Sequence, residues 1–266
     1  MDTFVNEKDF ALLARDPYTF EVLNRILRGP CDLVRTDHRS LILCHSEPPY
    51  PVWIWTPDGL TDAEKERAWA LADSVRPLSQ GYRFNMKYEP AEYFIEKGRQ
   101  SGLNAGLAMR LYAYDCPAPV PPLCPADGEL YECTREDTEE AAALIPLFYT
   151  EIGEKPPSHE ACVNKARAYI DENAFFFWKN GSGKTVASCS YKRNQGLASL
   201  GSVFTLPEER RRHYAQHLVF RVTRRVMDQG LTPMLYTNAD YAASNACYEK
   251  IGYVLRGRLC TVAVLG

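Results

Sequence analysis

Ala198-Ser199-Leu200-Gly201-Ser202-Val203-Phe204-Thr205 runs into Leu206-Pro207, and Glu208-Glu209-Arg210-Arg211-Arg212-His213-Tyr214-Ala215 follows at once. The first stretch is small and β-favouring, so it reads as a strand that Pro207 stops. Beyond the turn, Ala215, Leu218, Val219, Val222 and Val226 recur at helical spacing and make one apolar face. Gly230 stands where a helix stop is expected. A strand that feeds a helix through an arginine-bearing turn is suited to an anion. The first N–H groups of a helix lack intrahelical acceptors, and the helix dipole favours negative charge there. Three adjacent arginines are also what a solvated charge run looks like. The strand-turn-helix context favours the site.

A second pattern lies downstream. Met234 to Asp240 reads as a strand, Ala242 to Lys250 as a short helix, and Gly252 as its C-cap. Taken together, Val203 to Ala215 and the set Asn238, Ser244-Asn245-Ala246, Tyr248 and Lys250-Ile251-Gly252-Tyr253 resemble the two signatures of the GNAT N-acetyltransferase superfamily. Arg210 takes the first place of the pyrophosphate motif and Ala215 the last. Arg211 and His213 stand where the family usually has glycine, which lets backbone approach a phosphate closely.

The resemblance implies an α/β fold with a mixed sheet and a held acetyl-CoA co-substrate. Val203, Phe204 and Thr205 would pair with the pantetheine arm, on a strand that in the family splays from its neighbour. Arg210, Arg211, Arg212, His213, Tyr214 and Ala215 would take the pyrophosphate. Asn238 and Asn245 would be cofactor contacts, and Tyr248 the general acid for the leaving thiolate. A thiol has a pKa of about 8.5 and tyrosine about 10, so that proton transfer is near balance. The alternative for Tyr248 is an amphipathic core residue with its hydroxyl at the rim.

The general base is not legible. An alkylammonium with a pKa of about 10.4 costs about 4 kcal/mol to deprotonate at pH 7.5, yet Ala198 to Thr205 holds no carboxylate. Asp240, Glu151, Glu154, Tyr236 and His159 all stay open as candidates. The resemblance implies an acyltransferase acting on a small-molecule or peptide amine by direct attack in a ternary complex. The missing strand carboxylate and the two replaced glycines leave a rival: an acyl-CoA-binding or regulatory protein on the same fold.

Composition sets the wider limits. The chain has 266 residues, enough for one large core or two smaller ones. A net charge of -3 argues against a nucleic-acid or anionic-membrane binder. No basic start precedes an apolar run, and no apolar stretch is long enough to span a bilayer, so a cytoplasmic place is expected. The nine cysteines are scattered without CxxC pairs or metal-ligand spacing, so reduced thiols and no metal are expected. Pairing into a homodimer stays open.

The proline-rich segment Cys116 to Pro125 marks a boundary. Residues 127–266 then read β-α-α-β-β-β-α-β-α-β, the order expected of a catalytic GNAT domain. Asn180-Gly181-Ser182-Gly183 reads as a hairpin turn, not a phosphate cradle, because no helix follows it. Residues 1–126 read as a degenerate GNAT-like copy. Val52 to Pro57 lines up with Gly201 to Pro207, Tyr82 to Tyr88 with Met234 to Asp240, and Pro90 to Gly98 with Ala243 to Gly252. An unrelated α/β domain with the same order is the alternative. In the first half the turn holds Asp58, Asp62 and Glu64 where the second has arginines. Repulsion there should exclude a phosphate.

Overall fold

Phe175-Phe176-Phe177-Trp178 is apolar at every position, which a strand needs only when both of its faces are covered. The computed structural model describes residues 1–266 and shows that cover. It divides the chain into two compact units. The first comprises residues 1–113, 237–240 and 256–266, and the second residues 114–236 and 241–255.

In the second unit the strands lie in the order β10 (Thr232–Asn238), β9 (Leu197–Thr205), β8 (Thr185–Asn194), β7 (Phe175–Lys179) and β6 (Glu129–Glu132). Only β10 and β9 run parallel; the other pairs are antiparallel. Successive residues of β7 point to opposite faces. Phe175 meets Tyr169 of α6 (His159–Asp171) at 6.1 Å between ring centroids. Phe176 lies under Arg225, and Trp178 meets His217, both on α7 (Tyr214–Asp228). Thus α6 covers one face and α7 the other. α5 (Thr138–Glu151) packs on α6 and β9, and α8 (Ala242–Ile251) packs on α7. Gly252 ends α8 in the left-handed region, φ 103°, where a Cβ would fall 2.3 Å from the Ala118 carbonyl oxygen. Only glycine fits there.

In the first unit, β1 (Leu33–Thr36), β2 (Ile42–His45) and β3 (Val52–Trp55) are antiparallel neighbours, and β3 is parallel to β4 (Phe84–Met86). Val52, Ile54, Phe84 and Met86 form a core with Trp69 of α3 (Asp62–Val75) and Phe94 of α4 (Tyr88–Gln100). α1 (Glu7–Leu13) and α2 (Glu21–Arg28) are separate helices, as the Asp16-Pro17 break predicts. Tyr88 opens α4 instead of closing a strand, because Pro90 sits within its first turn, where no N–H partner is needed.

The free edge of β4 is filled by a distant segment. β5 (Ala105–Asp115) follows α4 in the chain, yet the strand paired with β4 is β11 (Val254–Val264), antiparallel, with Met86 opposite Cys260 and Phe84 opposite Val262. β5 then lies on the other side of β11. Thr261 Oγ1 donates to the buried Asn85 Oδ1 at 2.7 Å, which fixes that register with a side-chain bond.

Candidate functional site

The site begins where a ladder ends. β9 and β10 pair from Leu197–Thr232 to Leu200–Leu235 and no further, so residues 201–205 of β9 have no ladder partner on that side. Their other side stays joined to β8, with Ala187 opposite Thr205 and Ser188 opposite Phe204. A bulge between Ser188 and Ser190 turns β9 at this point, with Ser202 at φ 50°. Ser188 Oγ donates to the Ser202 carbonyl at 3.2 Å and Ser190 Oγ to the Gly201 carbonyl at 3.3 Å, which pins the bulge. Nothing in the sequence marks these serines, since serine carries no preference for the left-handed region. The open edge holds Val203, Phe204 and Thr205, and the Thr205 hydroxyl is buried without a hydrogen-bond partner.

After Leu206 the chain makes a 3-10 turn over Pro207–Glu209, so the α-helix starts only at Tyr214. Arg211 and His213 adopt φ 63° and 65°. These are the positions where the resembled motif has glycine, and the left-handed backbone is kept without it. His213 is the N-cap of α7 and offers no side-chain bond to it, and the first turn holds no acidic residue. No protein group accepts from the N–H groups of residues 211–216. The turn therefore presents several bare N–H donors at a helix N-terminus, where an anion is stabilised.

The three arginines behave differently. The Arg210 guanidinium meets Glu151 at the end of α5 at 2.8 Å and also donates to the Thr205 carbonyl at 3.3 Å. Arg212 lies 3.1 Å from Glu209, whose other oxygen is 3.1 Å from Lys184. Arg211 has no acidic partner and is exposed. Tyr214, expected among the phosphate contacts, turns inward instead: it is buried and donates to Asp127 at 2.6 Å. Asp127 also accepts from the Gly181 N–H at 2.7 Å, joining the β7–β8 hairpin turn to the start of α7. These bonds, from Tyr214 first and then Gly181, hold the Asp127 carboxyl below the usual carboxylate range.

Tyr248 and Asn245 are both buried on α8. Burial pushes the Tyr248 phenol well above the ordinary tyrosine value, and the neighbouring Cys247 and Cys189 add to it. Its ring packs on Tyr253 at 5.9 Å between centroids. Tyr253 shares its hydroxyl with Thr223 at 2.7 Å. A tyrosine kept neutral can donate a hydrogen bond across the physiological range, while the raised pKa disfavours full proton transfer to a thiolate.

Asn238 falls in the first unit, where its Oδ1 accepts the Asp240 N–H at 2.9 Å and turns the chain. That turn ends β10 at Asn238, two residues before the expected Asp240. Among the candidate bases, Asp240 lies 3.3 Å from Arg110 and His159 lies 3.5 Å from Glu139 on an exposed surface. Glu151 is committed to Arg210. None of these three is a bare carboxylate or imidazole.

Residues 177–262 match the FR47-like protein family model. No curated protein matches the sequence. Among solved structures, a Drosophila protein is similar with a TM-score of 0.66 at 16% identity, covering 96% of this chain and 90% of that one. A GCN5-related N-acetyltransferase from Sphaerobacter thermophilus gives 0.65 at 12% identity, covering 98% and 94%. A GCN5-related N-acetyltransferase from Kribbella flavida gives 0.64 at 15% identity, covering 93% and 94%. The open edge of β9, the turn at 210–213 and these likenesses agree on the fold: it is that of the GCN5-related N-acetyltransferases, and residues 177–262 match the FR47-like model.

Proposed function

We propose that this protein is an acetyl-CoA-dependent N-acetyltransferase that acetylates a primary amine of a small molecule or peptide by direct attack in a ternary complex. The observation that carries the reading is the open edge of β9 leading straight into a turn of bare N–H donors. An extended amide-bearing arm can add to the edge as a strand does. A pyrophosphate can then rest on the N–H groups of residues 211–216, with Arg211 closest to free and Arg210 and Arg212 released from their carboxylates on binding. Tyr248 supplies the proton, or a hydrogen bond, to the departing thiolate. Such a group typically contributes on the order of 10²–10⁴ in rate.

The amine must lose a proton before attack. Glu151 is a poor choice for that task, because it is tied to an arginine at the phosphate end of the proposed site. A water relay satisfies the chemistry without a dedicated carboxylate. The absence of a carboxylate on β9 is the observation that favours a second reading, a non-catalytic acyl-CoA-binding protein.

One experiment separates the two. Thiol release from acetyl-CoA is followed over a panel of primary amines, with CoA binding measured by calorimetry on the same protein. Turnover on at least one amine supports the enzyme; binding without turnover on any supports the second reading. Arg210→Ala and Arg212→Ala should each weaken CoA binding, and added salt should weaken the wild type, because the charges are half exposed. Unchanged affinity in both variants would remove this turn from the site.

A further inference from the structure

Asp2, Asp9 and His38 come from separate places in the sequence and meet at the outer edge of the first unit's sheet. β1 is the last strand on its side, so the outward polar groups of its backbone have no neighbouring strand. Exposed edge donors and acceptors are a template for another chain, and two contacts cover them here. Arg35 folds back and donates from Nη1 to the Val34 carbonyl at 2.8 Å. At Thr36, Asp2 makes one antiparallel bridge. Its N–H donates to the Thr36 carbonyl at 2.8 Å, and its carbonyl accepts the Thr36 N–H at 3.1 Å.

His38 holds Asp2 in that place. Its Nε2 lies 2.8 Å from Asp2 Oδ2, and its Nδ1 lies 2.6 Å from Asp9 Oδ2. The turn between β1 and β2 sets the ring there, with His38 at φ 57° and its N–H donating to Thr36 Oγ1 at 2.8 Å. Asp9, on α1, is fully buried and also accepts from the Asn6 N–H at 2.9 Å and from Thr36 Oγ1 at 2.6 Å. The Phe4 ring centroid stands 5.5 Å from that of the imidazole. Of the other charges in the turn, Arg39 is exposed, and Asp37 spends its carboxylate on the Arg39, Ser40 and Leu41 N–H groups and on Arg67 of α3.

Both carboxylates only accept, so the ring must donate from both nitrogens, which the imidazolium alone can do. The bond to Asp9 above all raises the His38 pKa above its ordinary value of 6.5; burial opposes it and the bond to Asp2 adds to it. The contribution to stability is therefore complete below about pH 6.5, the unfolded value, and is lost as pH rises through the raised one. A neutral ring keeps one N–H. Asp9 is sealed from water whereas the Asp2 side chain is 51% exposed, so the proton stays toward Asp9 and Asp2 is the partner released.

We infer that His38 is a proton-operated clasp: while protonated it holds residues 2–6 across the β1 edge, and on losing its proton it frees Asp2 and uncovers Thr36. This concerns the first unit alone and stands whether or not the second unit transfers acetyl groups.

The test uses the full chain with its histidine and phenylalanine rings labelled for NMR, titrated between about pH 5.5 and 9. The His38 ring should titrate above pH 6.5, with both nitrogens protonated below the transition. Cross-relaxation between the Phe4 and His38 rings should be lost over the same pH range. Asp2→Asn keeps an acceptor but removes a charge, so both events should move together to lower pH. In Asp2→Ala the Phe4–His38 contact should lose its pH dependence. A wild-type contact that persists through the His38 transition, or a ring that titrates at or below pH 6.5, would overturn the inference, and the wild-type titration decides this without any variant. Loss of the contact at an unchanged pH in Asp2→Asn would overturn it as well.

Discussion

Arg211 and His213 hold a backbone conformation that glycine takes freely and other residues take at about 1–2 kcal/mol each. His213→Gly should therefore raise stability by about 1 kcal/mol in denaturant titration and leave CoA affinity unchanged or tighter. Arg211→Gly should gain a similar amount yet weaken CoA binding, since the one arginine without a carboxylate partner is lost. Equal affinity in the two variants would deny Arg211 a role in holding the cofactor. Tyr248 carries the next expectation. Tyr248→Phe should lower kcat by about 10²-fold or more with little change in the KM for acetyl-CoA, because the hydroxyl acts on charge that forms during the reaction. Its raised pKa also has a sign in stability. Above about pH 10 the unfolded chain releases this proton and the folded one keeps it, so stability falls as pH rises past that value. Melting curves between pH 8 and 11 should fall less steeply for Tyr248→Phe than for wild type. At this scale the sequence was readable for residue type and not for company. The arginines were visible, but their partners Glu151 and Glu209 depend on where α5 ends and how the 3-10 turn folds back.

Elements were more legible, for a local reason. Apolar spacing and caps lie within one segment, so α3 runs over Asp62–Val75 as its pattern predicts, and the hairpin turn joins β7 to β8. The start of α7 was less so. The segment Glu208 to Ala215 was expected to lead into the helix, and after the 3-10 turn residues 210–213 intervene, with Arg210 extended and Arg211 and His213 left-handed, so that α7 starts at Tyr214. Asp127 is a positioning residue for that start, because it ties Tyr214 and Gly181 together from outside both elements. Asp127→Ala should raise the KM for acetyl-CoA severalfold with kcat nearly kept, and Asp127→Asn should restore most of the loss. A fall in kcat without a change in KM would contradict positioning through the turn. The bulge at Ser202 escaped the sequence altogether: an eight-residue β-favouring run gives no sign of where its ladder on one side will stop.

At the scale of the whole molecule, the contrast in charge was visible in the sequence: Asp58, Asp62 and Glu64 follow β3, where Arg210, Arg211 and Arg212 follow β9. A titration should find one CoA per chain, lost when the 210–212 turn is mutated; two sites of similar affinity would contradict the difference between a bare turn and the turn after β3, whose Gly59 and Leu60 N–H groups donate to Glu89. The partner of β4 could not be read, since neither β4 nor β11 carries a signal naming the other, and pairing at such separation is settled only by the finished core. Deleting residues 256–266 should accordingly raise hydrogen exchange first in the first unit, at β4 and β5. Protection lost only in β6 to β9 would show that the tail stabilises the other unit instead. That pairing also sets a clock for biosynthesis. Met86 and Cys260 are 174 positions apart, so on a ribosome adding about 5–20 residues per second, β4 leaves the tunnel roughly 9–35 s before its partner strand leaves it. During that interval the nascent first half carries an unpaired strand edge, the kind of surface that recruits chaperones or neighbouring chains.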